Sequence, residues 1–333
     1  KNFLQEHSHP VVNKIAKARE INKAHTTFLD TILRYEHKGR IHADINQIRS
    51  DQGGTVTGRF SYSNPNLQQI PARNKDLGPM IRSLFIPEDG CVWGCFDYNQ
   101  QEPRLVVHFA ATTASIKEDA SVKEIVNNYS NSNIDFHKTV ADMAGISRLQ
   151  AKTINLGLFY GMGKAKLQAE LGLSTKQEAE KLFNQYHERV PFVRDLMNET
   201  SRWASREGEI RTLLGRGCRF NKWEPAQFGM HTPMTWEDAM KKYGENRIRR
   251  AFTYKALNKL IQGSAADMTK KSMLDLYKEG IIAHIQIHDE LDISVESDKK
   301  AKRIIEIMEA AVDLEVPNKV DYESGKTWGN IYD

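Results

Sequence analysis

Three cysteines in 333 residues, Cys91, Cys95 and Cys218, are too few and too irregularly placed for a disulfide framework or a paired zinc-ligand pattern. Cys91 and Cys95 fall in an apolar, strand-like run, which favours buried thiols over a redox or zinc site. No apolar stretch is long enough to span a membrane. The N-terminal stretch KNFLQEHSHPVVNKIAKARE lacks the apolar core of a secretory signal, so nothing points to export. No internal repeat or low-complexity tract argues for a solenoid. A strong excess of one charge is also missing: 47 Lys and Arg against 43 Asp and Glu leave a formal net charge of +4, which by itself identifies no partner.

What is present is a 40% hydrophobic chain, enough for a large core or for two to three packed subdomains. Residues 1–40 carry heptad-like apolar spacing at Val12, Ile15, Ile21, Phe28 and Ile32, which predicts helices. DQGGTVTGRFSYSNPNLQQIPARN, rich in Gly, Asn, Ser and Pro, predicts strand and loop. CVWGCFDYNQ predicts a short apolar strand ending in a carboxylate, and EPRLVVHFAA a helix with Pro103 in its first turn. A helical middle is expected over 116–207, with Ser174 or Thr175 before Glu178 marking a helix start and Pro191 ending or kinking that helix. EIRTLLGRGCRF predicts a hairpin, NKWEPAQFGMHTPMTWEDAMKKYG a loop-rich insertion, and RRAFTYKALNKLIQGSAADMTKKSMLDLYKEG a helix. IIAHIQIHDELDISV predicts a strand pair.

Cations cluster locally in KTINLGLFYGMGKAKLQ and ENRIRRAFTYKALNKL, while Asp97 and Asp289 lie in apolar strands. That separation suits a polyanion passing an acidic metal site, and it equally suits ordinary solvated helices. In RLQAKTINLGLFYG, Arg148, Lys152, Leu156 and Tyr160 recur every four residues and share one helix face, before Gly161 and Gly163 supply a stop. Two cations followed by a leucine and a tyrosine form an odd face for either core or water alone. The plain alternative is a surface helix with solvated Arg148 and Lys152.

Asp289 allows two placements. Alternation through Ile285, Ile287, Leu291, Ile293 and Val295 puts it among apolar neighbours, whereas a tight turn at HDEL puts it at a solvent-facing tip. An unpaired buried carboxylate is costly, so it must be exposed, protonated or cation-bound. Two aspartates brought together could hold a pair of Mg²⁺ ions about 3.5–4 Å apart, one activating a hydroxyl and the other neutralising leaving phosphates. Spacing alone does not raise this above structural aspartates.

DYNQQEPRL, RLQAKTINLGLFYG and IHDEL occur in that order and far apart. Together with TGRFSYSNPNLQQIP, DFHKTVADMAG, TLLGRGCRF and LNKLIQGSAADM they resemble the motifs of family A DNA polymerases, the bacterial DNA polymerase I and phage replicase group. The resemblance implies an α+β right-hand fold with an antiparallel-sheet palm, helical fingers and a truncated thumb. It implies residual thumb helices at 1–40, palm at 41–115 and 250–333, and fingers with the insertion at 116–249. No segment is left for a proofreading exonuclease, so synthesis without correction is expected unless a missing N-terminal exonuclease and thumb region, or replisome proteins, act alongside. The implied partners are primer-template DNA, deoxynucleoside triphosphates and two Mg²⁺ ions, with no membrane. An intracellular location follows, the host cytoplasm if the chain is phage-encoded.

Residue by residue, the resemblance implies that Asp97, Asp289 and the Tyr98 carbonyl hold the metal ions, with Glu290 in support. Arg148, Lys152 and His137 face the β- and γ-phosphates, and Lys152 donates a proton to pyrophosphate. Leu156 packs on the nucleotide, and Tyr160 occupies the template position while the fingers are open. Glu102, near the Tyr160 hydroxyl, leaves no room for a 2′-hydroxyl, and Gln101 lies beside that gate. Arg59, Asn258 and Gln262 reach the minor groove, His288 contacts the primer strand, and Gln68 joins the DNA-binding set.

Three positions depart from the usual pattern: Leu156 replaces Phe or Tyr, Gln101 an apolar residue, and Pro103 a leucine. With the unmatched 221–247 segment, these favour a phage or plastid-type replicase that discriminates against dideoxynucleotides. The competing readings are an RNA polymerase or reverse transcriptase of related architecture, disfavoured by Glu102, and an inactive DNA-binding module, disfavoured by Asp97, Asp289, Lys152 and Arg148.

Overall fold

The computed structural model describes residues 9–51, 53–71, 74, 76–131, 135–159, 164–227 and 229–332. The chain forms two compact units. The first comprises residues 1–97, 272–308 and 320–333, and the second residues 98–271 and 309–319. These bounds fall at the end of the carboxylate strand and inside the long C-terminal helix.

In the first unit, helix α1 (Pro10–Ala24) starts with proline at its first turn and a His9 cap, then continues through a π turn (His25–Leu29) into a helix at Asp30–Tyr35. Its expected apolar face is largely exposed, with Ile15 and Ile21 open to solvent and Ala24 its buried residue. The unit's main sheet contains β1 (Val92–Tyr98), β2 (Ile285–Ile287), β3 (Glu290–Val295) and β4 (Val320–Gly325) in the order β2-β3-β1-β4. β3 pairs antiparallel with both β2 and β1. Alternation sorts the two faces. One carries Leu291, Ile293 and Phe96, with Phe96 stacked on Tyr322 at 4.7 Å; the other carries the polar residues described below. Gly94 is required on the packed face, because a Cβ there would meet Val295 Cγ2 at 2.8 Å.

Beneath the polar face lies a core in which Trp328, fully buried, stacks on Trp93 at 5.9 Å and meets Phe85 edge-on at 5.4 Å. Burying each large side chain of this kind contributes about 1.5–3 kcal/mol. Arg82 lies over the Trp328 ring at 4.3 Å and donates from Nε to the Pro71 carbonyl at 3.1 Å, which fixes a buried cation in this unit.

The second unit is mainly helical: α2 (Gln101–Thr112), α3 (Phe136–Ala144), α4 (Arg148–Phe159), α5 (Lys176–Arg189) and α6 (Pro191–Glu207), followed by α7 (Ala256–Lys278), which runs on into the first unit's sequence. Thr175 caps α5, accepting from the Glu178 amide at 3.2 Å while Glu178 accepts from the Ser174 amide at 3.0 Å. Pro191 opens α6 instead of kinking α5. The EIRTLLGRGCRF hairpin pairs Glu209–Arg211 with Gly217–Arg219.

Two expectations are corrected. The 221–247 segment is not simply loop: Trp223–Pro225 pairs with Ile248–Arg250, and Trp236–Tyr243 is helical. Thr235 caps that helix, with Glu237 and Asp238 in its first turn and Lys241 and Lys242 in its last, matching its dipole. For the same reason α7 starts late, at Ala256: Arg249 and Arg250 are taken up in the strand, and Phe252 is left-handed at φ 63°.

Candidate active site

In the first unit, register brings the carboxylates together. Glu290 pairs with Asp97, Asp292 with Cys95 and Ser294 with Trp93 across β3 and β1, so all six share one face. Ile287 pairs with Glu290, leaving His288 and Asp289 as the two-residue connection of the β2–β3 hairpin. Asp289 is therefore in the turn, as one placement expected, but it is half-buried and not at a solvent-facing tip. His288 is exposed and takes a positive φ of 58°, uncommon for a side chain with a Cβ.

A chain of amides supports this turn. Gln68 donates to the Gln286 carbonyl at 3.1 Å and to its side chain at 3.3 Å, and Gln286 donates to the His288 carbonyl at 2.6 Å. The Gln286 amide also donates to the Tyr62 hydroxyl at 3.2 Å. Gln68 thus has a structural task here besides any contact with DNA.

Burial raises the proton affinity of all four carboxylates, and like charge adds to it at Asp97 and Glu290. Burial and then Asp289, Asp321, Glu323 and Asp292 push the Asp97 carboxyl up. Asp97 itself presents exposed surface, so water weakens the desolvation part and like-charge repulsion is the sturdier cause. Burial, then Asp292 and Asp97, raises Glu290; burial raises Asp289 against the pull of Arg59. Asp292 is also raised by burial, against hydrogen bonds from Cys95 and Trp93 and the charge of Arg82. Four crowded carboxylates facing two arginines remain under-compensated, the condition that favours bound cations. Asp97, Asp289 and Glu290 offer oxygen ligands only, and this donor set fits Mg²⁺. Tyr98, whose carbonyl was expected to join them, follows Asp97 in β1 with its ring buried. Among the described residues, the tightest candidate ligand group is a neighbouring one, Cys95, Glu290 and Asp292.

In the second unit, α3 and α4 carry the cations. Asp135 caps α3 by accepting from the Lys138 amide at 3.1 Å, and its other oxygen accepts from Arg148 Nε at 2.6 Å. Ser147 and Gln150 cap α4 reciprocally, at 3.2 and 2.9 Å. One helical turn after Arg148, Lys152 is exposed. His137 is buried, with Nδ1 3.2 Å from the Asn155 amide nitrogen; the Asn155 oxygen accepts from the Tyr186 hydroxyl. Burial lowers His137 to about 4, with Lys152 and Arg148 also lowering it and Asp135 opposing. The ring is therefore neutral near pH 7 in the unliganded protein, a hydrogen-bonding group and not a third cation. Leu156 lies in α4, its side chain outside the described set; Tyr160 also falls outside the described residues.

At the start of α2, Glu102 is half-buried, while Gln101 is buried and donates to Thr269 Oγ1 at 3.2 Å. Asn258 and Gln262 lie one turn apart on α7, both half-buried. Arg59 is half-buried in the first unit and acts electrostatically on Asp289. The structure thus gathers Asp97, Asp289, Glu290, His288, Gln68 and Arg59 in one unit, and Arg148, Lys152, His137, Glu102, Gln101, Asn258 and Gln262 in the other. Sequence reading missed Asp292, Gln286, Arg82 and Asn155. The alternation that flagged Asp289 would have flagged Asp292 had Glu290, Asp292 and Ser294 been read as a polar face.

The sequence profile of DNA polymerase family A matches residues 2–330. A DNA-directed DNA polymerase of Pseudomonas phage M6 is 34% identical over 374 residues, covering 99% of this chain and 53% of the relative. The thermostable DNA polymerase I of Thermus filiformis is 33% identical over 339 residues, covering 96% of this chain and 36% of the relative. Among solved structures, the POL domain of Pol1 from M. smegmatis, in complex with DNA primer-template and dNTP, matches with a TM-score of 0.78 at 26% identity. That match covers all of this chain and 56% of the other. The chain therefore has the α+β polymerase fold and spans about half the length of the phage relative and about a third of the bacterial one. With the match running over nearly every residue, this chain belongs to DNA polymerase family A.

Proposed function

We propose that this chain catalyses template-directed DNA synthesis. The primer 3′-oxygen forms a bond to the α-phosphorus of an incoming deoxynucleotide, the bond from that phosphorus to the β-phosphate bridge breaks, and pyrophosphate leaves. The observation that carries the reading is the convergence of Asp97, Asp289 and Glu290 at one end of the two central strands of the sheet, where cations are needed to offset their repulsion. Two bound Mg²⁺ ions supply Lewis-acid stabilisation of the developing charge.

Asp97 and Asp289, with the Tyr98 carbonyl, hold these ions, and Glu290 supports them. Arg148 and Lys152 orient the β- and γ-phosphates by charge-assisted hydrogen bonds, Arg148 exchanging its bond with Asp135 for one to phosphate. His137, fixed by Asn155, contributes a directed hydrogen bond, and Lys152 protonates the leaving pyrophosphate. Glu102 excludes the 2′-hydroxyl, with Gln101 next to it in α2, and Leu156 contributes to nucleotide choice. Arg59, Asn258, Gln262, His288 and Gln68 grip primer and template. Residues 1–40 act as part of a thumb, 41–115 and 250–333 as palm, and 116–249 as fingers with the insertion, in a phage-type replicase without excision activity in these residues.

A primer-extension assay with DNA template, Mg²⁺ and either dNTPs or rNTPs tests this, with Asp289→Ala as control. Extension with dNTPs that the substitution abolishes is expected. No extension by the intact chain would favour the inactive binding module, and equal use of rNTPs would remove the Glu102 gate. Leu156→Tyr is expected to increase dideoxynucleotide incorporation in the same assay.

A further inference from the structure

Next to the oxygen-only set lies a group of different chemistry. Cys95 Sγ and a carboxylate oxygen from each of Glu290 and Asp292 all lie within 4.8 Å of one another. Asp292 is 0% exposed. Its Oδ1 accepts from Trp93 Nε1 at 3.0 Å and from the Cys95 thiol at 2.6 Å, while its buried Oδ2 has no hydrogen-bond partner among the described residues. The Arg82 charge offsets part of the cost, but a buried carboxylate oxygen without a donor is unfavourable, so its retention beside a thiol points to a ligand.

We propose that Cys95, Glu290 and Asp292 bind a thiophilic divalent cation of the Zn²⁺ class, at a site distinct from the Asp97 and Asp289 set. One sulfur and two oxygen ligands leave a fourth position for water, the usual count for tetrahedral zinc with an open site. Mg²⁺ disfavours sulfur, so the thiol selects against it. Binding exchanges the Cys95 S–H bond for a sulfur–metal bond and releases one proton to solvent. Trp93, donating to Asp292, plays the orienting part that outer partners play around metal ligands. The half-buried Glu290 is the accessible member and marks the entry side.

The site has a consequence for synthesis, which rests on the polymerase reading as the binding itself does not. A cation on Glu290 withdraws that carboxylate from the Asp97 and Asp289 set, so occupancy inhibits.

The test is titration of the intact chain with Co²⁺ in the absence of DNA and nucleotide, read by optical absorption, followed by displacement with Zn²⁺. One equivalent of Co²⁺ giving a thiolate-to-cobalt charge-transfer band is expected, retained in Cys91→Ser and Cys218→Ser and lost in Cys95→Ser. Asp292→Asn keeps the thiol and is expected to weaken Co²⁺ binding by about tenfold or more, at least the loss that follows removal of an outer partner. If Cys95→Ser does not fold, the Asp292→Asn titration decides. No thiolate band in the unmodified chain, a band that survives Cys95→Ser, or unchanged affinity in Asp292→Asn would each overturn the proposal. In primer extension, Zn²⁺ inhibition is expected to need about tenfold more metal in Asp292→Asn. Failure of that arm with intact Co²⁺ binding would count against the inhibitory consequence alone.

Discussion

The two charged regions solve opposite problems. On the sheet, Asp97, Asp289, Glu290 and Asp292 come from rigid strands and a two-residue turn, all pushed towards their protonated forms by burial, and Asp97 and Glu290 by like charge as well. On the helices, Arg148 and Lys152 reach outward from a capped first turn, and Arg148 already has an ion pair with Asp135 at 2.6 Å. The carboxylates are held together at a cost to the fold that bound cations would relieve. The guanidinium and ammonium groups incur little such cost, because exposed pairs contribute only about 0–1 kcal/mol. Fixed placement suits small ions that demand defined geometry; long side chains suit a triphosphate that must arrive and leave.

The comparison can be broken from the helical side first. Lys152→Ala removes a charge-assisted hydrogen bond of about 1.5–3 kcal/mol, so kcat/KM for dNTP should fall about 10- to 100-fold with the fold intact. Steady-state extension measures it, and a loss below about twofold would mean that Lys152 is a solvated surface residue. Next is the network behind His137. Tyr186→Phe leaves the buried Asn155 oxygen without its hydroxyl donor and should cost about 1–3 kcal/mol of stability in denaturant unfolding. An unchanged midpoint would show that Asn155 finds another donor.

A third effect is a pH dependence. His137 titrates at about 4 in the folded chain against an ordinary 6.5, so between those values the unfolded chain holds a proton that the folded chain does not. Its share of stability is complete above about pH 6.5 and is lost as pH falls towards 4, with a slope of up to about 1.4 kcal/mol per pH unit. His137→Gln should flatten that part of the curve when melting is compared at roughly pH 7 and pH 5. Parallel curves for both proteins would place the imidazole in water.

How much was legible in the sequence follows the range of the interactions. Local signals held: Thr175 with Glu178 at the start of α5, the end of α5 just before Pro191, and the hairpin at Glu209–Arg219 each depend on neighbours within a few residues. The IHDEL turn was one of two open placements, and hairpin register decided it. Asp292 stayed hidden because its meaning depends on Cys95, 197 positions away, and on a β1–β3 register that no local pattern states. Gln101 was grouped with the nucleotide set by motif, yet its amide is turned to Thr269, 168 positions away. The 221–247 segment looked like loop because its two strands are three residues each and lie more than twenty residues apart. In the row that ends in Leu156 and Tyr160, Arg148 and Lys152 are exposed on a capped helix, which suits a nucleotide face and a solvated face alike, and the last member lies outside the described residues.

The most direct test of the carboxylate side is thermal unfolding of the intact chain and of Asp97→Asn/Asp289→Asn, each without divalent metal and with Mg²⁺. A cradle built against its own repulsion predicts that the double variant melts no lower than the unmodified chain in metal-free buffer, and that Mg²⁺ raises the midpoint of the unmodified chain alone. A lower metal-free midpoint for the variant together with an equal response to Mg²⁺ in both proteins would contradict it.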